Sequence, residues 1–174
     1  MASRDCIVVR SLSRRSPRGT IEVAGLKFPC ALGRSGQRVR KWEGDGATPS
    51  GRYRLLCILY RADRRGRPRT ALPVRRIRPC DGWCDASGDR NYNRAVRLPY
   101  PASAEHLWRA DGLYDLVVVL DHNTQPRKRR SGSAIFMHLA RTGYSPTEGC
   151  VALAEPQLTR LLARLRHGAV IVLP

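Results

Sequence analysis

The stretch that most constrains the fold is LYDLVVVLD, residues 113–121. Its apolar run, Leu116–Leu120, is uninterrupted and too short for a buried helix, so it reads as a buried β-strand. It is also far short of the roughly 20 apolar residues that cross a bilayer as a helix. Residues 133–139, SAIFMHL, read as a second strand with His138 near its end. A basic loop, HNTQPRKRRSG, joins the two.

The remaining pattern points the same way. Residues 6–10 are β-rich, and residues 20–32 read as a hairpin turning at Ala24 and Gly25. GDGATPSGRYRLL, residues 44–56, reads as a loop punctuated by Gly and Pro that feeds a strand ending at Tyr60. Residues 79–98 read as one long loop, and residues 103–110 as one or two helical turns capped by Ser103. EPQLTRLLARLR, residues 155–166, is the one clear helix: Pro156 suits its first turn, and Leu158, Leu161, Leu162 and Leu165 share one face. Gly168 ends it, and residues 169–173 form a last strand. The expectation is a mainly β chain with one late α-helix and a few short helical turns, forming a single domain over residues 1–174.

Of the 32 Lys and Arg residues, only Lys27, Lys41 and Lys128 are lysine, and the formal net charge is +18. Guanidinium groups grip carboxylates and phosphates through two oxygens at once, so an anionic partner fits this balance. A nucleic-acid-binding module is the rival class, but no reading motif accompanies the charge and only 6% of residues are aromatic. Cys6, Cys30 and Cys57 lie in apolar runs and read as small core residues. Cys80 and Cys84 are four apart; a local disulfide stays open, while a metal site lacks the second pair or histidines it needs. The apolar run at residues 6–9 is too short for a signal-peptide core.

The chemical signal lies in HLARTGYSPTEGCVAL, residues 138–153. Cys150 follows Gly149 at the end of a polar turn and precedes an apolar run, which puts it at a junction between loop and regular structure. Backbone N–H groups there can converge on an oxyanion. A free thiol titrates near ~8.5 and needs a base at neutral pH, which His138 could supply. From spacing alone the alternative stands beside this one: a packed thiol and a core histidine with a satisfied hydrogen bond.

Taken together, GDGATPSGRY, DLVVVLDHN, GSAIFMHL and PTEGCVAL resemble the L,D-transpeptidase family, the YkuD-type catalytic domain of bacterial cell-wall enzymes. His138, Thr147, Gly149 and Cys150 match the family pattern; Glu148 and Ala152 stand where His and Arg are usual, and the interval from histidine to cysteine is short. The resemblance implies a β-sandwich or barrel of mixed sheets. It implies a divergent, short member; some members of this kind are associated with crosslinks between first and third stem residues (the 1,3 type) in place of the usual 3,3 type, and for this chain the expectation is 3,3 or 1,3 crosslinks.

The resemblance also implies the chemistry. Cys150 attacks an L–D peptide bond of a peptidoglycan stem, His138 takes and returns the proton, and the N–H groups of Gly149 and Cys150 hold the oxyanion. The carbonyl of Leu139 orients the imidazole. A diaminopimelate amine, or water in a hydrolytic carboxypeptidase or endopeptidase, resolves the thioester. No metal or organic cofactor is expected. The partners are stem peptides and the anionic wall polymer, with no specific nucleic acid and no membrane span, and the substrate class implies a periplasmic location. Thr147 either bonds near the cysteine or steadies the turn. Arg141, Tyr144 and Glu148 lie on the loop between base and nucleophile, where Arg141 could meet a stem carboxylate. His122 faces the cleft or lies exposed. Trp83, Tyr92 and Asn93 line the groove, unless Trp83 simply packs.

Overall fold

The computed structural model describes residues 6–174. In chain order the elements are β1 (Cys6–Ser11), β2 (Arg18–Val23), β3 (Leu26–Ala31), β4 (Gln37–Arg38), β5 (Thr48–Pro49), β6 (Gly51–Tyr60) and β7 (Val74–Arg76). They continue as β8 (Asp81–Cys84), β9 (Ala95–Arg97), β10 (Ala104–His106), β11 (Leu116–Leu120), β12 (Phe136–Leu139), β13 (Val151–Leu153), α1 (Glu155–Leu162) and β14 (Val170–Leu173). Over the described residues the fold is mainly β with one helix.

The strands run in the order β11-β12-β13-β3-β2-β1-β14-β6-β7, and β11 also pairs with β6. That extra pairing closes a ring of mixed parallel and antiparallel strands into a barrel, and closure removes the edges that would otherwise expose unpaired backbone. β12 and β13 are parallel, with His138 opposite Ala152. The hairpin of β2 and β3 turns at Ala24 (φ 46°) and Gly25 (φ 79°), the two left-handed residues such a tight turn requires.

The pleat explains why residues 116–120 are apolar throughout. Leu116, Val118 and Leu120 join the main core, together with Ile7, Val9, Ile21, Met137 and Val151. Val117 and Val119 face the other way, into a second cluster with Leu59, Trp83, Tyr114, Phe136 and Cys150. β11 is therefore buried on both faces, and alternation of polar and apolar residues is lost. β12 splits similarly: Met137 and Leu139 belong to the main core, while Phe136 packs in the second cluster, so the period of two sends His138 to the Phe136 side.

Three expectations are corrected. Residues 79–98 do not form one loop. They contain β8 and β9, which join β10 in a separate sheet of order β10-β8-β9. Residues 103–110 are not helical and Ser103 caps nothing, because Ala104, Glu105 and His106 pair with Cys84, Trp83 and Gly82, and this pairing overrides the local preference. The helix ends at Leu162, not residue 166. Beyond it the N–H groups of Arg164 and Leu165 reach back only three residues, to Leu161 and Leu162, so the chain tightens into turns before Gly168. All six cysteines are free, so Cys80 and Cys84 form no disulfide. Among the described residues no helix is long and apolar enough to cross a membrane.

Candidate active site

Cys150 sits one residue before β13, at a loop-to-strand junction. Two clips fix its loop. The Thr147 N–H donates to Leu32 O (2.9 Å) and the Arg34 N–H donates to Thr147 O (2.8 Å), binding the segment to the end of β3. Thr147 Oγ1 donates to Cys150 O (2.7 Å) and accepts the Gly149 N–H (3.2 Å). The hydroxyl thus steadies the turn and touches the cysteine's backbone, so both readings of Thr147 hold. Gly149 has φ 137°, and a Cβ there would come within 2.8 Å of Ala47 O, so only glycine fits.

Residues 150 and 138 are twelve apart in sequence but meet across the parallel pair. His138 is opposite Ala152, so Cys150 lies diagonally from it on the same side of the sheet. Both line a cleft of about 580 Å³, with Ala152 between them. Ala152 is small enough to leave the cleft open at this point.

The thiol does not sit exposed at a rim. Cys150 is 8% exposed; its Sγ donates to Ala134 O (3.3 Å) and receives the Phe136 N–H (3.4 Å). No hydrogen bond joins it to the imidazole among the described residues. Burial, reinforced by the negative charge of Glu105, pushes the thiol up to about 12. His138 is also buried, and desolvation pulls its imidazole down to about 4. The resting pair is consequently neutral thiol and neutral imidazole, not thiolate and imidazolium. His138 Nδ1 lies 2.9 Å from Leu139 O. A carbonyl only accepts, so Nδ1 carries the hydrogen and Nε2 keeps its lone pair. The Tyr114 ring packs edge-on against the imidazole, 5.3 Å between centroids.

The backbone presenting Ala134 O is unusual. Ala134 has φ 51°, a left-handed conformation costing a residue with a Cβ about 1 kcal/mol or more. Asn93 imposes it. The Asn93 side-chain oxygen accepts the Ala134 N–H (3.1 Å) and the Trp83 Nε1–H (2.9 Å), and its amide donates to the carbonyls of His122 and Asn123.

The other expected site residues divide into two groups. Arg141 and Glu148 line the cleft; Glu148 is exposed and paired with Arg34 Nε at 2.9 Å, and Arg141 reaches Asp111 at 3.6 Å. Trp83, Tyr92, Asn93, His122 and Tyr144 do not line it. Trp83 packs edge-on against Phe136, and Tyr92 donates to the Glu43 carboxylate. His122 Nε2 bonds Ser131 O at 2.9 Å, and Tyr144 donates to Gln157 on α1 at 2.7 Å. These side chains turn to neighbouring loops or the helix because each finds a polar partner there. The Gly149 N–H, expected to face an oxyanion, is engaged by Thr147.

Sequence reasoning missed Tyr114, Glu105, Asp85 and Lys41, all of which line the cleft. Lys41 is buried and paired with Asp45, and being one of only three lysines was its one available signal.

No curated protein and no solved structure matched the chain. A family model described as the L,D-transpeptidase catalytic domain, YkuD, matches residues 14–173. That span takes in β2 through β14, the cleft, and both His138 and Cys150. The chain that places these two side chains on one face of a barrel wall belongs to the L,D-transpeptidase catalytic-domain (YkuD) family.

Proposed function

We propose that this chain is a peptidoglycan L,D-transpeptidase with Cys150 as nucleophile and His138 as base. The observation that carries this reading is the diagonal placement of a buried thiol and an imidazole with a bare Nε2 along one cleft.

The resting thiol is neutral, so it ionises only as it reacts. Sγ leaves the Ala134 carbonyl, gives its proton to His138 Nε2 and attacks the carbonyl of the L-residue. The Phe136 N–H, already directed at Sγ, stabilises the charge that develops there. The C–N bond to the D-residue breaks, and its nitrogen takes the proton back from His138. The acyl group stays on Cys150 as a thioester. The N–H of Cys150 holds the oxyanion, joined by that of Gly149 when the substrate oxygen replaces Thr147 Oγ1; one such donor is worth on the order of 10²–10³ in rate. A diaminopimelate amine then takes the acyl group. Arg141, exposed on the cleft wall, pairs with a stem carboxylate. The wall polymer lies outside the cytoplasm, which makes the periplasm the place of action.

The open wall beside Ala152 and the Arg34–Glu148 pair favour the short-member variant of the reaction, with 1,3 crosslinks. Disaccharide-tetrapeptide muropeptides incubated with the protein should yield crosslinked dimers by mass spectrometry, and Cys150→Ala should yield none. Loss of the D-Glu-containing remainder of the donor marks the 1,3 linkage, whereas loss of terminal D-Ala alone refutes it. Cleaved monomers without dimers would identify a hydrolase instead.

A further inference from the structure

The surface and the cleft carry opposite balances of charge. Lys and Arg outnumber Asp and Glu by 32 to 14 over the chain, yet four acids face three bases along the cleft. Two of those acids are satisfied: Glu148 by Arg34, and Glu43 by the hydroxyls of Tyr92 and Ser133. Asp85 is not, and Glu105 is held by one hydroxyl and one long ion pair. Both contacts of Glu105 fall on Oε1, where the Tyr114 hydroxyl donates at 2.6 Å and Arg109 Nη1 stands at 3.8 Å. That guanidinium is shared, its Nη2 and Nε donating to Asp111 at 2.6 and 3.0 Å while Nη1 faces Glu105. Asp85 Oδ1 is buried and has no hydrogen-bond partner among the described residues.

Register puts these two acids together over the site. Glu105 on β10 is opposite Trp83 on β8, and Asp85 follows two residues after Trp83, so both acids occupy the Trp83 face of the small sheet. Trp83 packs on Phe136, the residue whose N–H meets Cys150 Sγ, and Tyr114 packs on His138. A carboxylate held here opposes ionisation of the thiol. Arg109, shared with Asp111, balances it in part, and a cation entering the cleft beside Asp85 completes the balance.

We propose that Glu105, with Asp85 beside it, receives the ammonium group of the acceptor and takes its first proton, so directing the thioester to an amine and not to water. The inference rests on the thioester reading of Cys150. The acceptor arrives as R–NH3⁺ and gives one proton to the Glu105 carboxylate. Its freed electron pair forms the C–N bond. The C–S bond breaks with its electrons going to sulfur, and the second nitrogen proton passes through His138 to Sγ. The products are an amide, the free thiol and a protonated Glu105 that returns its proton to solvent. Burial raises the affinity of Glu105 for that proton above an ordinary carboxylate's. Tyr114 fixes the position of the carboxylate.

The test compares wild-type protein with Glu105→Gln. Each is acylated with a tetrapeptide donor, the thioester is read as intact-protein mass, and it is chased with diaminopimelate or with hydroxylamine, which is uncharged at neutral pH. Glu105→Gln should acylate at least as fast as wild type, because a charge opposing the thiolate is gone. Its ratio of amide to hydrolysis with diaminopimelate should fall about tenfold, the scale of one charge-assisted contact. Hydroxylamine should discharge both proteins equally. An unchanged ratio with diaminopimelate overturns the proposal, as does an equal loss with both nucleophiles. Wild-type protein that never acylates removes the proposed function and this inference with it. Should Glu105→Gln fail to fold, Asp85→Asn is judged by the same ratio and the same two outcomes.

Discussion

The side-chain oxygen of Asn93 accepts the backbone N–H of Ala134 at 3.1 Å. Ala134 in turn accepts the thiol of Cys150, so a buried amide sets the carbonyl against which the sulfur rests. Asn93→Ala removes four hydrogen bonds at a residue only 4% exposed. The expected loss is about 2–4 kcal/mol, read as a lowered denaturant midpoint, because buried donors and acceptors are left unpaired. Alkylation of Cys150 in the folded variant should accelerate as the Ala134 carbonyl swings free. A stability change below about 0.5 kcal/mol would contradict this account.

The thiol of the free protein should react as an un-ionised group. With its titration pushed up to about 12, the thiolate fraction rises tenfold for each unit of pH from neutrality upward. Alkylation of Cys150 by iodoacetamide, followed by peptide mass spectrometry, should therefore climb across the alkaline range without a plateau near pH 7. A plateau there would reveal a preformed ion pair with His138.

Acid should weaken the fold through His138. Its folded-state value, about 4, lies below the ordinary 6.5, so between those limits the unfolded chain binds more protons than the native one. Stability present above pH 6.5 is lost as pH falls toward 4, by roughly 3 kcal/mol at most. His138→Gln should flatten this part of the pH dependence, measured by urea unfolding at several pH values.

Two substitutions on the nucleophile loop should separate scaffold from surface. Gly149→Ala forces a Cβ to 2.8 Å from Ala47 O at φ 137° and should cost about 1–3 kcal/mol along with crosslinking activity. Glu148→Gln breaks an exposed ion pair and should shift stability by no more than about 0.5 kcal/mol in thermal unfolding.

The barrel strands were legible where local pattern and burial agree. β11 announced itself because both its faces are covered, and the hairpin of β2 and β3 because Ala24 and Gly25 supply its turn. β8 and β10 were illegible: each is short, and their pairing joins residues about twenty positions apart, which no local propensity encodes. The same limit applied to the cleft. His138 and Cys150 stand in one quotable stretch, but Tyr114 and Glu105 enter only through packing and register across strands. Trp83, Tyr92 and Asn93 looked like groove residues because they sit among Gly, Pro and Asp. Their side chains instead brace the wall from behind, Tyr92 by donating to the cleft acid Glu43 and Asn93 by accepting the Ala134 N–H.

The two-sided burial of β11 separates durability from chemistry. Val118 points into the barrel and Val119 toward the sulfur's side, one peptide apart. Trimming the first loosens the shell while the cleft keeps its shape; trimming the second leaves the shell closed but lets the floor beneath Phe136 sag. Adjacent positions on a single strand can thus be tuned independently, one for endurance and the other for reactivity.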